Sequence, residues 1–510
     1  MGMIRRPNRD AARARAWHAL QLGDQQADGN RARFIAACTM TPGPGRLVFG
    51  RFLTPLGWQW VGLRTDPTSG QHVIVSGGSG SGKTAGTAIP LVIQHLRYHP
   101  DDVLLVLDKK SELVPRISDP VLPAMAKNPE IIDKIHTIIP HGQEIDGHTY
   151  LPHLNITQRD ESLSLEQQTL GIVEALNAAV DLGGLRMSRA ISMLVKAAIE
   201  LGYPLTRLRT WLQMPSTFAR DAQRSADPLL RTYAAQFSTV EPAATREALA
   251  SRLDLILFQR ETRLCLSAPR CFNLRKALAT PGSIILIDLF DRTSASDRSL
   301  IFWSSLLTTW IIAAILSRPI TEHTPRITWI AEEWQNGLGK EEAHAVAKTS
   351  SLARFKLLSL VTINQAFSQI AQIDSSLPKL LRTNSTVEIA YRSAPEDALL
   401  LTPPSLDPKK ARAHGQRLTC LDRREASLWI KPYGPQFIRS PRIDFERLGQ
   451  LAAKVDPAIR HAILRGVDSE RQDVLETHVA REEARSSTAP PGPSVPDVPQ
   501  PTDPRYPRIG

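Results

Sequence analysis

Apolar and polar positions along the chain change period several times, and the changes mark out the elements. Short unbroken apolar runs come first: Val73-Ile74-Val75, then Val103-Leu104-Leu105-Val106-Leu107 between Asp102 and Asp108, then 135–139. Runs this short, bounded by acids or turn residues, predict strands buried on both faces, as in a parallel sheet covered by helices. Between about 160 and 278 the period changes. Apolar residues recur at three- and four-residue spacing over 165–179, 188–201, 228–237 and 243–258, and strand signals nearly vanish. That texture predicts a helical domain inserted between strands. Strand runs resume at Ser283-Ile284-Ile285-Leu286-Ile287-Asp288 and at 326–333, which ends in Glu332-Glu333, and continue at 355–362, 386–391 and 426–430. The predicted fold class is α/β, with a mostly parallel sheet and an inserted all-α domain.

The ends read differently. Residues 1–45 form a basic, partly helical segment with Arg5, Arg6, Arg9, Arg13 and Arg15, closed by Thr41-Pro42-Gly43-Pro44-Gly45. Residues 46–63 alternate apolar and polar positions with glycines between, and predict strands leading into 72–76. Beyond 456 the chain is charged and helical. From 486 it is proline-rich, and too poor in apolar area to offset ordering entropy. The expected division is 1–45 for the N-terminal segment, 46–159 and 279–455 for the two parts of the α/β core, 160–278 for the helical insert, and 456–510 for the tail.

The uncharged stretch 299–317 has close to the roughly 20 residues a bilayer needs. Ser304, Ser305, Thr308 and Thr309 dilute it, and it follows a strand and a short polar turn, which favours a buried crossover helix. No other segment predicts a transmembrane span.

The chemistry centres on Gly77-Gly78-Ser79-Gly80-Ser81-Gly82-Lys83-Thr84, which fits G-x-x-x-x-G-K-[ST] between a strand and a helix. Glycines free the backbone so that successive N–H groups can face one concavity, and the following helix N-terminus adds partial positive charge. Lys83 is expected to reach the β- and γ-phosphates of ATP, and the Thr84 hydroxyl to hold Mg²⁺. A flexible Gly/Ser linker would place neither Lys-Thr after the last glycine nor an apolar strand before the first.

A phosphate loop needs an acid on a neighbouring strand. Asp108 sits where the sheet edge binds ligands. Asp288 and Glu332-Glu333 compete for the metal-orienting role, and only the second site supplies a pair, one acid for the metal and one to polarise water. Gln365 follows a buried strand and could contact the γ-phosphate. Arg354 could reach a neighbouring subunit's nucleotide and stabilise charge there.

The formal charge of +11 and pI of about 9.6 favour a polyanionic partner. Cys38, Cys265, Cys271 and Cys420 are too few and too scattered for a disulfide framework, and no C-x-x-C pair supports zinc. No secretory signal is evident at the N-terminus.

Five landmarks in order resemble the type IV secretion coupling proteins, the TraG/TraD/TrwB group of the FtsK/HerA motor superfamily. They are His72-Val73-Ile74-Val75 before the phosphate loop; Ala88-Ile89-Pro90 after it; Leu107-Asp108-Lys109-Lys110-Ser111-Glu112-Leu113, similar to D-P-K-G-E-L; Ile330-Ala331-Glu332-Glu333-Trp334 with Gly337-Leu338-Gly339, similar to the Walker B segment L-L-D-E-F…L-G; and Ile363-Asn364-Gln365 with Gln369-Ile370, similar to I-x-Q-S…Q-L. Asn384 falls where the family places an Asn. The resemblance covers roughly 46–445. It implies a RecA-like P-loop ATPase that forms a homo-hexamer and hydrolyses ATP between subunits. It further implies recruitment of relaxase, accessory relaxosome proteins and single-stranded DNA to a type IV secretion channel. It assigns Walker B to Glu332-Glu333 over Asp288.

Three departures accompany it. Glu332 stands where the family usually has Asp. The family's two transmembrane helices before the phosphate loop have no counterpart here, so a cytoplasmic protein held at the inner membrane by partners is expected. The segment after Asn384 is short. Two alternatives remain at this level: a cytosolic HerA/FtsK-like DNA translocase in repair or defence, and a weakly hydrolysing, nucleotide-dependent adaptor.

Overall fold

The computed structural model describes residues 28–54, 56–66, 70–125, 129–161, 163–290 and 297–488. The expected basic segment before residue 28 and the Pro-rich tail from 489 lie outside the described residues.

The described residues open with a helix, Asp28–Cys38, and a hairpin of β1 (Arg46–Thr54) and β2 (Gly57–Arg64). Core strands follow as β3 (Val73–Ser76), β4 (Val103–Asp108) and β5 (Ile135–Ile138). A second hairpin, β6 (Gln143–Ile145) and β7 (His148–Pro152), precedes a run of helices from Leu165 to Ala279. The core resumes with β8 (Ile284–Asp288), β9 (Ile327–Glu332), β10 (Leu358–Asn364) and β11 (Val387–Ala390), then β12 (Glu425–Ile430) and β13 (Gln436–Arg439). β14 (Ser469–Arg471) joins β7 and β6 in a small separate sheet.

The large sheet has eleven strands in the order β2-β1-β13-β12-β11-β3-β10-β9-β4-β8-β5. Every pairing from β11 to β5 is parallel, and every pairing from β11 outward to β2 is antiparallel. The parallel block is where the apolar runs fell, because both of its faces are covered. Val103, Leu105 and Leu107 enter one apolar cluster, and Leu104 and Val106 the other, as the two-residue period of a strand requires. The mostly parallel α/β sheet expected from the run pattern is therefore the fold observed.

One face is covered by the helix Ile89–Tyr98, with Ile89, Leu91 and Val92 in the core. The opposite face carries the helices between β7 and β8, whose apolar interior is continuous with Val103, Leu105 and Ile285 of the sheet. The helix Asp297–Ser317 packs here, against Leu165–Val180. Among the described residues it is the one helix long and apolar enough to cross a membrane, yet 61% of that stretch is buried inside the protein. Phe302, Trp303, Leu306 and Ile311 form part of the core, and Ser304 and Ser305 are fully buried with them.

Two strand expectations shift. β10 begins at Leu358 rather than 355, because Ala353–Lys356 closes a 3₁₀ turn that ends at Leu357 with φ +53°. Phe355 is left 81% exposed on that turn. β6, β7, β13 and β14 carried no run signal, since each pairs at an edge or in a hairpin with few apolar residues.

The β1–β2 hairpin depends on two side-chain choices. A Cβ on Gly62 would lie 1.9 Å from the Leu47 carbonyl oxygen, so only glycine allows the approach. The register shifts between Val48 and Gly50, which leaves Phe49 without a partner on β2, next to Val48. The Gln94 amide reaches over from the Ile89–Tyr98 helix to meet both the N–H and the C=O of Val48, each at 2.9 Å.

Candidate nucleotide-binding site

β3 ends at Ser76, in register with Asn364 of β10 and Ala390 of β11. The loop leaves the sheet there. Gly77, Gly80 and Gly82 have φ of +152°, +69° and +105°, a region costly to residues with a Cβ. At Gly77 space adds to the requirement, since a Cβ would sit 2.6 Å from Cβ of the buried Tyr391. A single π turn, Thr84–Ala88, then leads into the Ile89–Tyr98 helix, with Pro90 in its first turn.

The Lys83 ammonium donates to the Gly77 carbonyl at 2.5 Å and the Gly78 carbonyl at 3.1 Å. Burial lowers its pKa, and the charges of Glu333 and Glu332 oppose that shift while Lys110 adds to it. The Thr84 hydroxyl donates to Glu332 Oε1 at 2.9 Å. Glu332 is 2% exposed. Burial first, then the neighbouring Asp108 charge, pushes its carboxyl up to about 8, against the smaller effect of the Thr84 bond. Its Oε2 is buried with no hydrogen-bond partner. A buried unpartnered carboxylate oxygen beside a threonine hydroxyl suits a hard divalent cation with oxygen ligands, and these two residues fit Mg²⁺. No group of three His, Cys, Asp or Glu side chains able to hold a metal occurs among the described residues.

Glu333 follows β9 with φ +49°, a left-handed conformation that costs a non-glycine residue on the order of 1 kcal/mol or more. Its carboxylate is buried and held by two donors. Oε1 accepts from the Lys110 ammonium at 3.0 Å and Oε2 from the Gln335 amide at 2.8 Å. The same Lys110 ammonium donates to Gln365 Oε1 at 2.7 Å. Gly337, at φ +71°, seats the turn against Ser304 and Ile301 of the crossover helix.

The expected site residues thus separate into groups. Lys83, Thr84, Glu332, Glu333 and Gln365 come together at the C-terminal ends of β3, β9 and β10, with the loop Gly77, Gly78, Ser79, Gly80, Ser81 and Gly82 beside them. Asp108 is adjacent to Glu332 in the strand register, but its carboxylate is turned into its own loop. Oδ1 accepts from Lys110 N at 2.8 Å, and Oδ2 from Leu113 N and Val114 N at 2.8 and 2.9 Å. Its place is that of a loop anchor rather than a group facing the nucleotide. Asp288 continues the row on β8 and accepts from the Ser111 hydroxyl at 2.6 Å. Arg354 lies on the 3₁₀ turn before β10, at the opposite edge of the sheet from Gln365; its side chain lies outside the described residues.

Sequence reasoning passed over Lys110, Arg392 and Arg423. Lys110 lay inside a quoted landmark, but a Lys-Lys pair does not reveal which ammonium faces the site. Lys109 is buried and holds the carbonyls of Trp334 and Asn336 at 2.8 and 2.6 Å. Arg392 and Arg423 are exposed beside the loop: Gly78 N donates to the Arg392 carbonyl at 2.8 Å, and a Cβ on Gly82 would lie 3.7 Å from Arg423 Cγ. No local pattern marks either.

A family model described as "Type IV secretory system Conjugative DNA transfer" matches residues 23–120, which include the phosphate loop and Lys110. Among solved structures, the bacterial conjugative coupling protein TrwBdeltaN70 in an unbound monoclinic form is 15% identical, with a TM-score of 0.53 over 76% of this chain and 87% of that one. The plasmid coupling protein TrwB in complex with the ATP analogue ADPNP is 13% identical, with a TM-score of 0.52 over 74% and 87%. VirB4 of Thermoanaerobacter pseudethanolicus is 16% identical, with a TM-score of 0.55 over 80% and 99%. No curated protein matches the chain in sequence. The matched segment and the shared RecA-like fold together bear out the resemblance of this chain to the type IV coupling protein family.

Proposed function

We propose that the protein is a P-loop ATPase that acts as a coupling motor in conjugative DNA transfer. The observation that carries this reading is the 2.9 Å contact from Thr84 to Glu332, which joins the phosphate loop to the acid pair at a single place. TrwB, a structural neighbour with the same fold, was solved with an ATP analogue.

In this reading the loop N–H groups and Lys83 bind the triphosphate. Lys83 exchanges the carbonyls of Gly77 and Gly78 for phosphate oxygens. Thr84 and Glu332 hold Mg²⁺, which supplies positive charge beside those oxygens. Glu333 accepts a proton from the attacking water, and Gln365 contacts the γ-phosphate. Arg354, at the far edge of the sheet, serves the nucleotide of a neighbouring subunit in a homo-hexamer. Asp108 keeps the loop after β4 in place. The net charge of +11 suits passage of single-stranded DNA. Relaxase, accessory relaxosome proteins and a type IV secretion channel are the partners, and they hold the protein at the inner membrane.

The test is ATP turnover by the purified chain with and without single-stranded DNA, together with particle mass by mass photometry. Turnover stimulated by DNA, with a six-membered species in ATP, is expected. Turnover indifferent to DNA at every protein concentration overturns the motor reading.

A further inference from the structure

One ammonium holds two of the groups that the reaction needs. Lys110 Nζ is 3.0 Å from Glu333 Oε1 and 2.7 Å from Gln365 Oε1. These residues sit on three different loops, after β4, β9 and β10, so Lys110 ties the C-terminal edge of the sheet together. The tie has a chemical consequence. While the ammonium donates to Glu333 Oε1 at 3.0 Å, that oxygen is occupied and is not open to the attacking water. The Gln365 carbonyl is engaged by the same cation.

The tie is also placed to be broken. The Glu333 side chain is nearly inaccessible, while that of Lys110 keeps 28% of its surface in contact with solvent. An ammonium has three donors, and two of them are used here. Lys110 also lies close enough to Lys83 that its charge helps to lower the Lys83 pKa. Two cations at the mouth of a phosphate loop are relieved by an anion between them. The chemistry that fits is a multiply charged phosphoryl group extending past the reach of Lys83.

We propose that Lys110 reads the terminal phosphoryl group of the bound nucleotide. Its ammonium exchanges Glu333 and Gln365 for the γ-phosphate oxygens, and the exchange releases both groups for the attacking water. A nucleoside diphosphate lacks that group and leaves Lys110 on Glu333. The inference rests on the nucleotide reading above and adds a triphosphate check to it. The exchange replaces one ion pair by another, and no bond is made or broken.

The experiment measures binding of ADP and of the non-hydrolysable analogue ADPNP to the full chain, for wild type, Lys110→Met and Lys110→Arg, with thermal midpoints for each. Wild type is expected to prefer ADPNP. Lys110→Met should reduce that preference about tenfold, the scale of one charge-assisted hydrogen bond, while its ADP affinity stays close to wild type and its thermal midpoint falls with the loss of the tie to Glu333. Lys110→Arg, which keeps the charge, should restore part of the preference. An unchanged ADPNP-to-ADP ratio in Lys110→Met overturns the proposal, as does an equal fall in both affinities, which marks a merely structural residue. A wild-type chain that binds ADP but shows no preference overturns the phosphate check alone. One that binds neither nucleotide overturns the nucleotide reading as well.

Discussion

Thr84 and Glu332 stand 248 positions apart in the chain and share a hydrogen bond of 2.9 Å. The contact bridges β3 and β9 across the end of β10, which lies between them in the sheet. Where the family usually places Asp, the longer side chain of Glu332 reaches the threonine directly. Glu332→Asp, one methylene shorter, is expected to lose the direct bond while keeping a carboxyl group. Mg²⁺-dependent nucleotide binding should then fall by about tenfold or less, the scale of one lost hydrogen bond. Titration calorimetry with and without Mg²⁺ checks this, and a loss of nucleotide binding in the absence of Mg²⁺ would contradict it.

Stability should depend on pH through the same residue. The folded chain keeps a proton on Glu332 up to about pH 8, whereas an ordinary glutamate releases it near 4.5. Between those values the folded state binds more protons than the unfolded state. Stability from this group is therefore fully present below about 4.5 and is lost as pH rises through 8. Glu332→Gln cannot ionise, so it should gain on wild type as pH rises from 5 to 9, by a few kcal/mol at most. Urea unfolding in Mg²⁺-free buffer at the two pH values reads the difference. A gap that does not change with pH would remove the buried-acid explanation.

Lys83→Ala removes the cation that now caps the carbonyls of Gly77 and Gly78. Turnover should fall by about 10² or more, because this charge acts where the phosphates do. The melting temperature should change little. An unaltered rate would take Lys83 out of the site.

Ser111 adopts φ +55°, at the position where the resembled element D-P-K-G-E-L has glycine. Its hydroxyl offsets the backbone cost by donating to Asp288 at 2.6 Å. Ser111→Ala keeps the strain and loses the bond, for an expected loss of about 1.5–3 kcal/mol. Ser111→Gly recovers roughly 1 kcal/mol of it by relieving the left-handed conformation. Denaturant midpoints should rank wild type above Gly and Gly above Ala; Ala equal to wild type would show that the bond contributes nothing.

Gln94→Leu should be costlier, although it lies far from any chemistry. It would leave the buried N–H and C=O of Val48 without their partners, at roughly 1–3 kcal/mol each. A loss below about 1 kcal/mol would show that water replaces the amide.

The parallel block was legible because burial on both faces forces continuous apolar runs, which β4 and β8 display. The phosphate loop was legible because its glycines and Lys-Thr are neighbours in the chain. β13 and β14 left no trace, since an edge or hairpin strand needs no such run. Asp108 was misleading for a related reason: a strand-end acid looks alike whether it faces a ligand or caps its own loop, as this one does.

The amino-acid order alone determined the apolar strands of the parallel block, the helical texture of about 160–278 and the identity of the phosphate loop, because each of these is written in residues a few positions apart. The tertiary structure alone decided which lysine holds Glu333 and Gln365 and that the Asp108 carboxylate turns into its own loop. Those outcomes depend on strand order and on the direction of each turn. Both are set by packing between segments hundreds of residues apart, and no local pattern records them.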